Sequence, residues 1–139
     1  QILIADDDPD NHELFQEALN TVKIEDCRAN EIVVLKSAFD GKAALQLLEE
    51  ARMAPDNLPD VIVLDLNMPN LDGFHVLSFI RNDLIYKNIP TFILSTSNAD
   101  EDRRKCSEMG AAGYFCKPAN MEELRNVVTR IVTCDITYN

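Results

Sequence analysis

Five short apolar runs, each followed by a stretch of helical period, constrain this chain more than any other feature. The runs are Ile2-Leu3-Ile4-Ala5, about Ile32 to Ala38, Val61 to Leu66, Thr91 to Leu94, and Tyr114-Phe115-Cys116. Each is too short for a helix and nearly continuous in its apolar character, which predicts strands buried on both faces. Between them, apolar residues recur at helical spacing. Leu14, Phe15, Ala18, Leu19 and Val22 line a first helix, introduced by Asp8 as N-cap and Pro9 at the first helical position. Gly41–Arg52 gives a second through Ala44, Leu45, Leu48 and Ala51, and Phe74, Leu77, Ile80 and Leu84 give a third. Ala99–Met109 predicts a weakly amphipathic fourth helix closed by Gly110, and Met121, Leu124, Val128 and Ile131 line the last. Strict alternation of strand and helix predicts an α/β fold with one parallel sheet and helices on both faces.

A length of 139 residues suits one such domain, and no linker, further repeat or low-complexity segment divides it. No apolar run approaches the about 20 residues of a membrane span, and no secretory signal precedes the first strand. A formal charge of −11 argues against a general nucleic-acid surface, since phosphate backbones are gripped by Lys and Arg. It suits contact with basic protein surfaces, or solubility alone. Cys27, Cys106, Cys116 and Cys134 make neither a CxxC pair nor a zinc pattern. They read as reduced, mostly buried residues of a cytoplasmic protein.

In open parallel sheets, ligands sit beyond the carboxyl ends of the strands. There the sequence puts Asp6-Asp7-Asp8 after the first strand and Asp65 near the end of the third. Ser95-Thr96-Ser97 follows the fourth strand and Lys117-Pro118 the fifth. Clustered carboxylates repel one another, and a hard divalent cation relieves that repulsion, so Asp6, Asp7 and Asp65 are candidate ligands for magnesium. An arriving phosphoryl group would have its charge neutralised by the ion, by Lys117 and by the Ser95 hydroxyl. Asp65 is the candidate nucleophile, because aspartate in an apolar strand is costly without a task.

Taken together, the blocks Ile2-Leu3-Ile4-Ala5-Asp6-Asp7-Asp8, Leu64-Asp65-Leu66-Asn67-Met68-Pro69 with Asp72-Gly73, Ser95-Thr96-Ser97 and Gly110 through Pro118 make the chain resemble a response regulator receiver domain of bacterial two-component signalling. The likeness runs from Ile2 to about Thr133. It implies a flavodoxin-like three-layer sandwich, with sheet order 2-1-3-4-5 and five helices. The whole of 1–139 is then one receiver domain without an output domain, a phosphoacceptor switch and not a dedicated enzyme. Asp65 matches the phosphoacceptor, and Asp7 the direct ligand of Mg2+ (or Mn2+). Asp6 matches the partner that holds the ion through water, and Asn67 the backbone-carbonyl ligand. Lys117 matches the phosphoryl-contacting lysine, Ser95 the switch hydroxyl and Tyr114 the switch aromatic. A cis Lys117–Pro118 bond is also implied. The implied phosphodonor is a histidine kinase or phosphotransfer protein. The implied output is a protein partner or a homodimer through the face of the fourth helix, fifth strand and last helix, with no direct contact to nucleic acid or membrane. Thr96 stands where the family often has a smaller residue, which narrows access to Asp65. The connections Lys23–Glu31 and Met53–Asp60 are longer than in the shortest members.

Plainer readings and rival functions compete with this one. Asp8 reads first as a helix cap, and Tyr114 could simply be packed. His12 and His75 read as surface or satisfied residues, and Asp100-Glu101-Asp102 matches a helix dipole. A phosphatase of the haloacid dehalogenase type also uses an aspartyl-phosphate, but there a second Asp, two residues on, moves a proton, and Asn67 cannot. A flavodoxin-type nucleotide binder needs a Gly/Ser/Thr-rich first loop, where three aspartates would repel phosphate. A receiver reduced to docking is disfavoured because no acidic, hydroxyl or lysine position is missing.

Overall fold

The computed structural model describes residues 1–21 and 34–133. Five strands alternate with five helices: β1 (Ile2–Ala5), α1 (Pro9–Thr21), β2 (Leu35–Ala38), α2 (Gly41–Arg52), β3 (Val61–Leu64), α3 (Gly73–Asn82), β4 (Thr91–Ser95), α4 (Asp100–Glu108), β5 (Gly113–Cys116) and α5 (Met121–Val132). A single 3₁₀ turn, Pro55–Asn57, precedes β3. All neighbouring strands pair in parallel, in the order 2-1-3-4-5. Successive side chains of a strand point to opposite faces, and this divides the core in two. Leu3, Ala5, Ile62, Leu64 and Ile93 pack with Leu48, Val76, Leu77, Ile80 and Cys106 of α2, α3 and α4. Ile2, Ile4, Val61, Val63, Phe92 and Leu94 pack with Phe15, Ala18, Leu124, Val128 and Ile131 of α1 and α5. Full burial of each large apolar side chain contributes about 1.5–3 kcal/mol.

Local chemistry fixes the element ends that frame the site. Asp8 accepts the Asp10 amide at 3.0 Å, so the capping role expected of it is observed. Asp40, Asp72 and Asn120 cap α2, α3 and α5 through the amides of Ala43, His75 and Glu123. At the end of α4, Gly110 has φ +90. The Ala111 amide reaches back to Cys106 and the Gly110 amide to Ser107, each at 3.0 Å, which is a Schellman closure requiring a left-handed residue.

Some expected boundaries shift. β3 ends at Leu64, so Asp65 stands just past the strand instead of inside it. α3 stops at Asn82, because the Asp83 carboxylate turns to accept the Ile85 amide at 2.8 Å. Leu84 is consequently 80% exposed and not a core residue. Its place in the core goes to fully buried Tyr86, whose hydroxyl donates to the Leu48 carbonyl at 2.5 Å. Leu14 is also largely outside the core, at 43% exposed. Val22, the Lys23–Glu31 connection, the start of the second strand before Val34, Cys27 and Cys134 lie outside the described residues. Cys106 is buried and Cys116 half-buried, both as free thiols.

Candidate functional site

Strand register assembles the site. Ala5 pairs with Leu64, and the Asp65 amide donates to the Ala5 carbonyl at 2.9 Å, so the ladder runs one residue further and sets Asp6 beside Asp65. On the other side Ser95 pairs with Cys116, and the Lys117 amide donates to the Ser95 carbonyl at 2.8 Å. Asp6, Asp65 and Ser95 are buried, at 3%, 4% and 0% exposed, while Asp7 lies open to solvent. Carboxylate oxygens of Asp6, Asp7 and Asp65 lie within 4.8 Å of one another, the one such acidic cluster among the described residues.

Two buried carboxylates side by side are costly, and Lys117 answers both. Its Nζ stands 2.8 Å from Oδ2 of Asp6 and 2.8 Å from Oδ2 of Asp65. Burial alone would lower the Lys117 ammonium, but its bonds to Asp6 and then Asp65 raise it above the ordinary lysine range, so it stays charged. Asp6 also accepts the Asp8 amide at 2.9 Å and the Asn11 side-chain amide at 3.1 Å. Asp65 Oδ1 accepts the Asn67 amide at 3.3 Å. Close approach completes the frame: a Cβ on Gly73 would lie 2.3 Å from the Asp65 carbonyl oxygen, so only glycine lets α3 begin there.

A second group extends from Ser95 toward α4. The Ser97 amide donates to Ser95 Oγ at 3.3 Å, and the Ser97 hydroxyl donates to Asp102 at 2.6 Å. Tyr114 is half-buried; its hydroxyl donates to the Ser97 carbonyl at 2.9 Å, and the Arg103 guanidinium lies 4.8 Å from its ring centre. Burial pushes the Tyr114 phenol up, leaving it a donor. α4 buries a single residue, Cys106, whose thiol is pushed up to about 11 by burial and then by Asp102.

One expectation needs correction, and a second narrows. No cis peptide bond occurs among the described residues, so Lys117–Pro118 is trans. The trans form is the lower-energy one for a prolyl bond by about 0.5–1 kcal/mol, and from it the flexible lysine stem reaches both carboxylates. His12 is not a surface residue: it is 6% exposed, with Nε2 2.8 Å from the Asp6 carbonyl oxygen. Its position on the buried face of α1, three residues before Phe15, was the available signal. His75 is exposed and bonded to Asp72, as a satisfied residue would be. Thr96 is exposed at the rim.

Comparison with known proteins gives a consistent likeness. The profile of the response regulator receiver domain matches residues 2–129. The chain is 32% identical to response regulator Rcp1 of Synechocystis sp. over 130 residues, covering 94% of this chain and 84% of Rcp1. The probable methanogenesis regulatory protein FilR2 of Methanothrix harundinacea is 37% identical over 92 residues, or 66% of this chain; that match spans 59% of FilR2. Among solved structures, the Mn2+-bound form of Rcp1 superposes with a TM-score of 0.79 at 30% identity, covering 99% of this chain and 95% of that one. The phosphorylated cyanobacterial phytochrome response regulator RcpA gives 0.79 at 31% identity, covering 94% and 89%.

Proposed function

Because the chain belongs to the response regulator receiver domain family, we propose that it is a phosphoacceptor switch in which Asp65 takes a phosphoryl group from a histidine kinase or phosphotransfer protein. The observation that carries the reading is Lys117 Nζ at 2.8 Å from Asp65, beside a cluster of three carboxylates. The family is in general a switch and not an enzyme, and here the acceptor's own residues supply the transfer chemistry.

The donor set fits a hard divalent cation. Asp6, Asp7 and Asp65 offer only oxygen, with the backbone carbonyl of Asn67 as a further ligand, which suits Mg2+ or Mn2+ better than a soft metal. When bound, such an ion supplies positive charge to the phosphoryl oxygens. A carboxylate oxygen of Asp65 forms the new P–O bond as the P–N bond of the donor phosphohistidine breaks, and the departing imidazole takes a proton. Lys117 then exchanges its bonds to carboxylates for bonds to phosphoryl oxygens. Ser95, on the strand beside Asp65, offers its hydroxyl to the same oxygens.

A shift of the Ser95 hydroxyl toward those oxygens would act on Tyr114 through the Ser97 segment, to which both are hydrogen-bonded. With one buried anchor, α4 is the element most easily shifted. The face of α4, β5 and α5 is therefore the proposed output surface, for a protein partner or a second copy. Incubation with a small acyl phosphate and magnesium, followed by mass mapping, tests the acceptor. Adduct formation on Asp65 supports it, and labelling elsewhere refutes it.

A further inference from the structure

Resting on the divalent-cation reading of the acidic cluster, we propose that His12 is a positioning residue that fixes the Asp6–Asp7 peptide through the Asp6 main-chain carbonyl. Nε2 lies 2.8 Å from that oxygen. A carbonyl only accepts, so Nε2 carries the hydrogen and donates. The other ring nitrogen, Nδ1, is buried and has no hydrogen-bond partner among the described residues. A leucine would fill the volume without stranding a polar atom, so packing does not account for an imidazole here. What the imidazole adds is one directed donor, aimed at the peptide that joins the two acidic residues.

The surroundings hold that donor on target. His12 rides on α1, whose neighbouring Asn11 donates to the Asp6 carboxylate at 3.1 Å. α1 thus grips Asp6 twice, by its side chain through Asn11 and by its main chain through His12. The imidazole also rests against Phe39 of the β2–α2 turn, with ring centres 4.5 Å apart. Asp7, exposed and without an ion pair among the described residues, depends on the preceding peptide for its direction. Freeing the Asp6 carbonyl would let that peptide rotate and carry Asp7 away from Asp6 and Asp65. Groups that orient a ligand from behind often change metal affinity about 10–100-fold when removed.

Two variants separate the donor from the volume. His12→Leu keeps the bulk and removes the hydrogen bond, whereas His12→Gln sets an amide N–H near the Nε2 position. Calorimetric titration with MgCl2 should show roughly ten-fold weaker binding for His12→Leu and recovery to near wild type in His12→Gln. Hydrogen exchange in chelator reads the same loop without metal: the Asp8 amide, bonded to Asp6 Oδ1, should exchange faster in His12→Leu and regain protection in His12→Gln. If His12→Leu fails to fold, His12→Asn, too short to reach the carbonyl, takes its place. Wild-type behaviour of the donorless variant in both measurements, or no recovery with Gln, overturns the proposal. Should wild type bind no magnesium, the cation reading fails, and the exchange comparison alone decides the role of His12.

Discussion

Lys117, after β5, and Asp65, after β3, reach across the end of the intervening β4 and meet at 2.8 Å, in an ion pair that the same ammonium shares with Asp6. One positive charge therefore offsets two buried negative ones. Removing it as Lys117→Ala leaves Asp6 and Asp65 repelling each other at 3–4% exposure, a change expected to cost about 3–5 kcal/mol in chelator. The same variant should bind magnesium several-fold more tightly, because the ion no longer competes with an ammonium for Asp6 and Asp65. It should also accept phosphate more slowly. Denaturant melts with and without magnesium check this, the added ion stabilising the variant more than wild type.

Asp7 has the opposite balance. It is exposed and adds charge to the cluster without a salt-bridge partner among the described residues. Asp7→Ala should weaken magnesium binding and block phosphorylation, while melting in chelator at or slightly above wild type. A lower melting temperature in chelator would show that Asp7 stabilises the metal-free fold.

At the start of α3, the Asp72 carboxylate accepts both the backbone amide and the ring nitrogen of His75. Partial burial would raise it, but those bonds win and hold it below the ordinary 3.8. A folded value below the unfolded one means that the stabilisation is complete above the unfolded value and is lost as pH falls through the folded one. Asp72→Ala should cost about 1 kcal/mol at pH 7 as a lost cap. The exposed contact with the His75 ring adds little. The gap between variant and wild type should narrow only below pH 3.8, as measured by urea melts across pH.

Coupling from the site to α4 is tested at Ser95. Ser95→Ala should still accept phosphate on Asp65 but should no longer transmit the change to Tyr114. Hydrogen exchange over residues 100–110 should respond to phosphorylation in wild type and not in the variant. Equal protection of that segment in phosphorylated and unphosphorylated wild type would remove the basis for an output face there.

Sequence legibility followed the physics of each region. Strands such as Val61–Leu64 are buried on both faces, so their apolar runs stood out, and parallel register then had to bring Asp6, Asp65, Ser95 and Lys117 to one edge. Helix ends were legible where a cap residue was unambiguous, as at Asp8-Pro9 and Gly110. They were not legible at Asn82, where the competing turn depends on the Asp83 side chain. Periodicity also credited Leu84 with burial that belongs to Tyr86, a residue tied to α2 by a bond across 38 positions. For His12 the reading as surface or satisfied narrows to a buried, hydrogen-bonded residue: helical spacing from Phe15 signals the burial, but its partner is a main-chain carbonyl, which has no signature in side-chain identity. The trans Lys117–Pro118 bond differs from an expectation that rested on resemblance alone.

The most direct test of the account is the mass of the protein after exposure to a small acyl phosphate with magnesium. Wild type should gain one phosphoryl mass, mapped by peptide analysis to Asp65, and should gain none in chelator. Asp65→Asn, which keeps the shape of the side chain but removes its nucleophilic carboxylate, should gain none under any condition. Labelling of Asp65→Asn to the wild-type extent would contradict the assignment of Asp65 as acceptor.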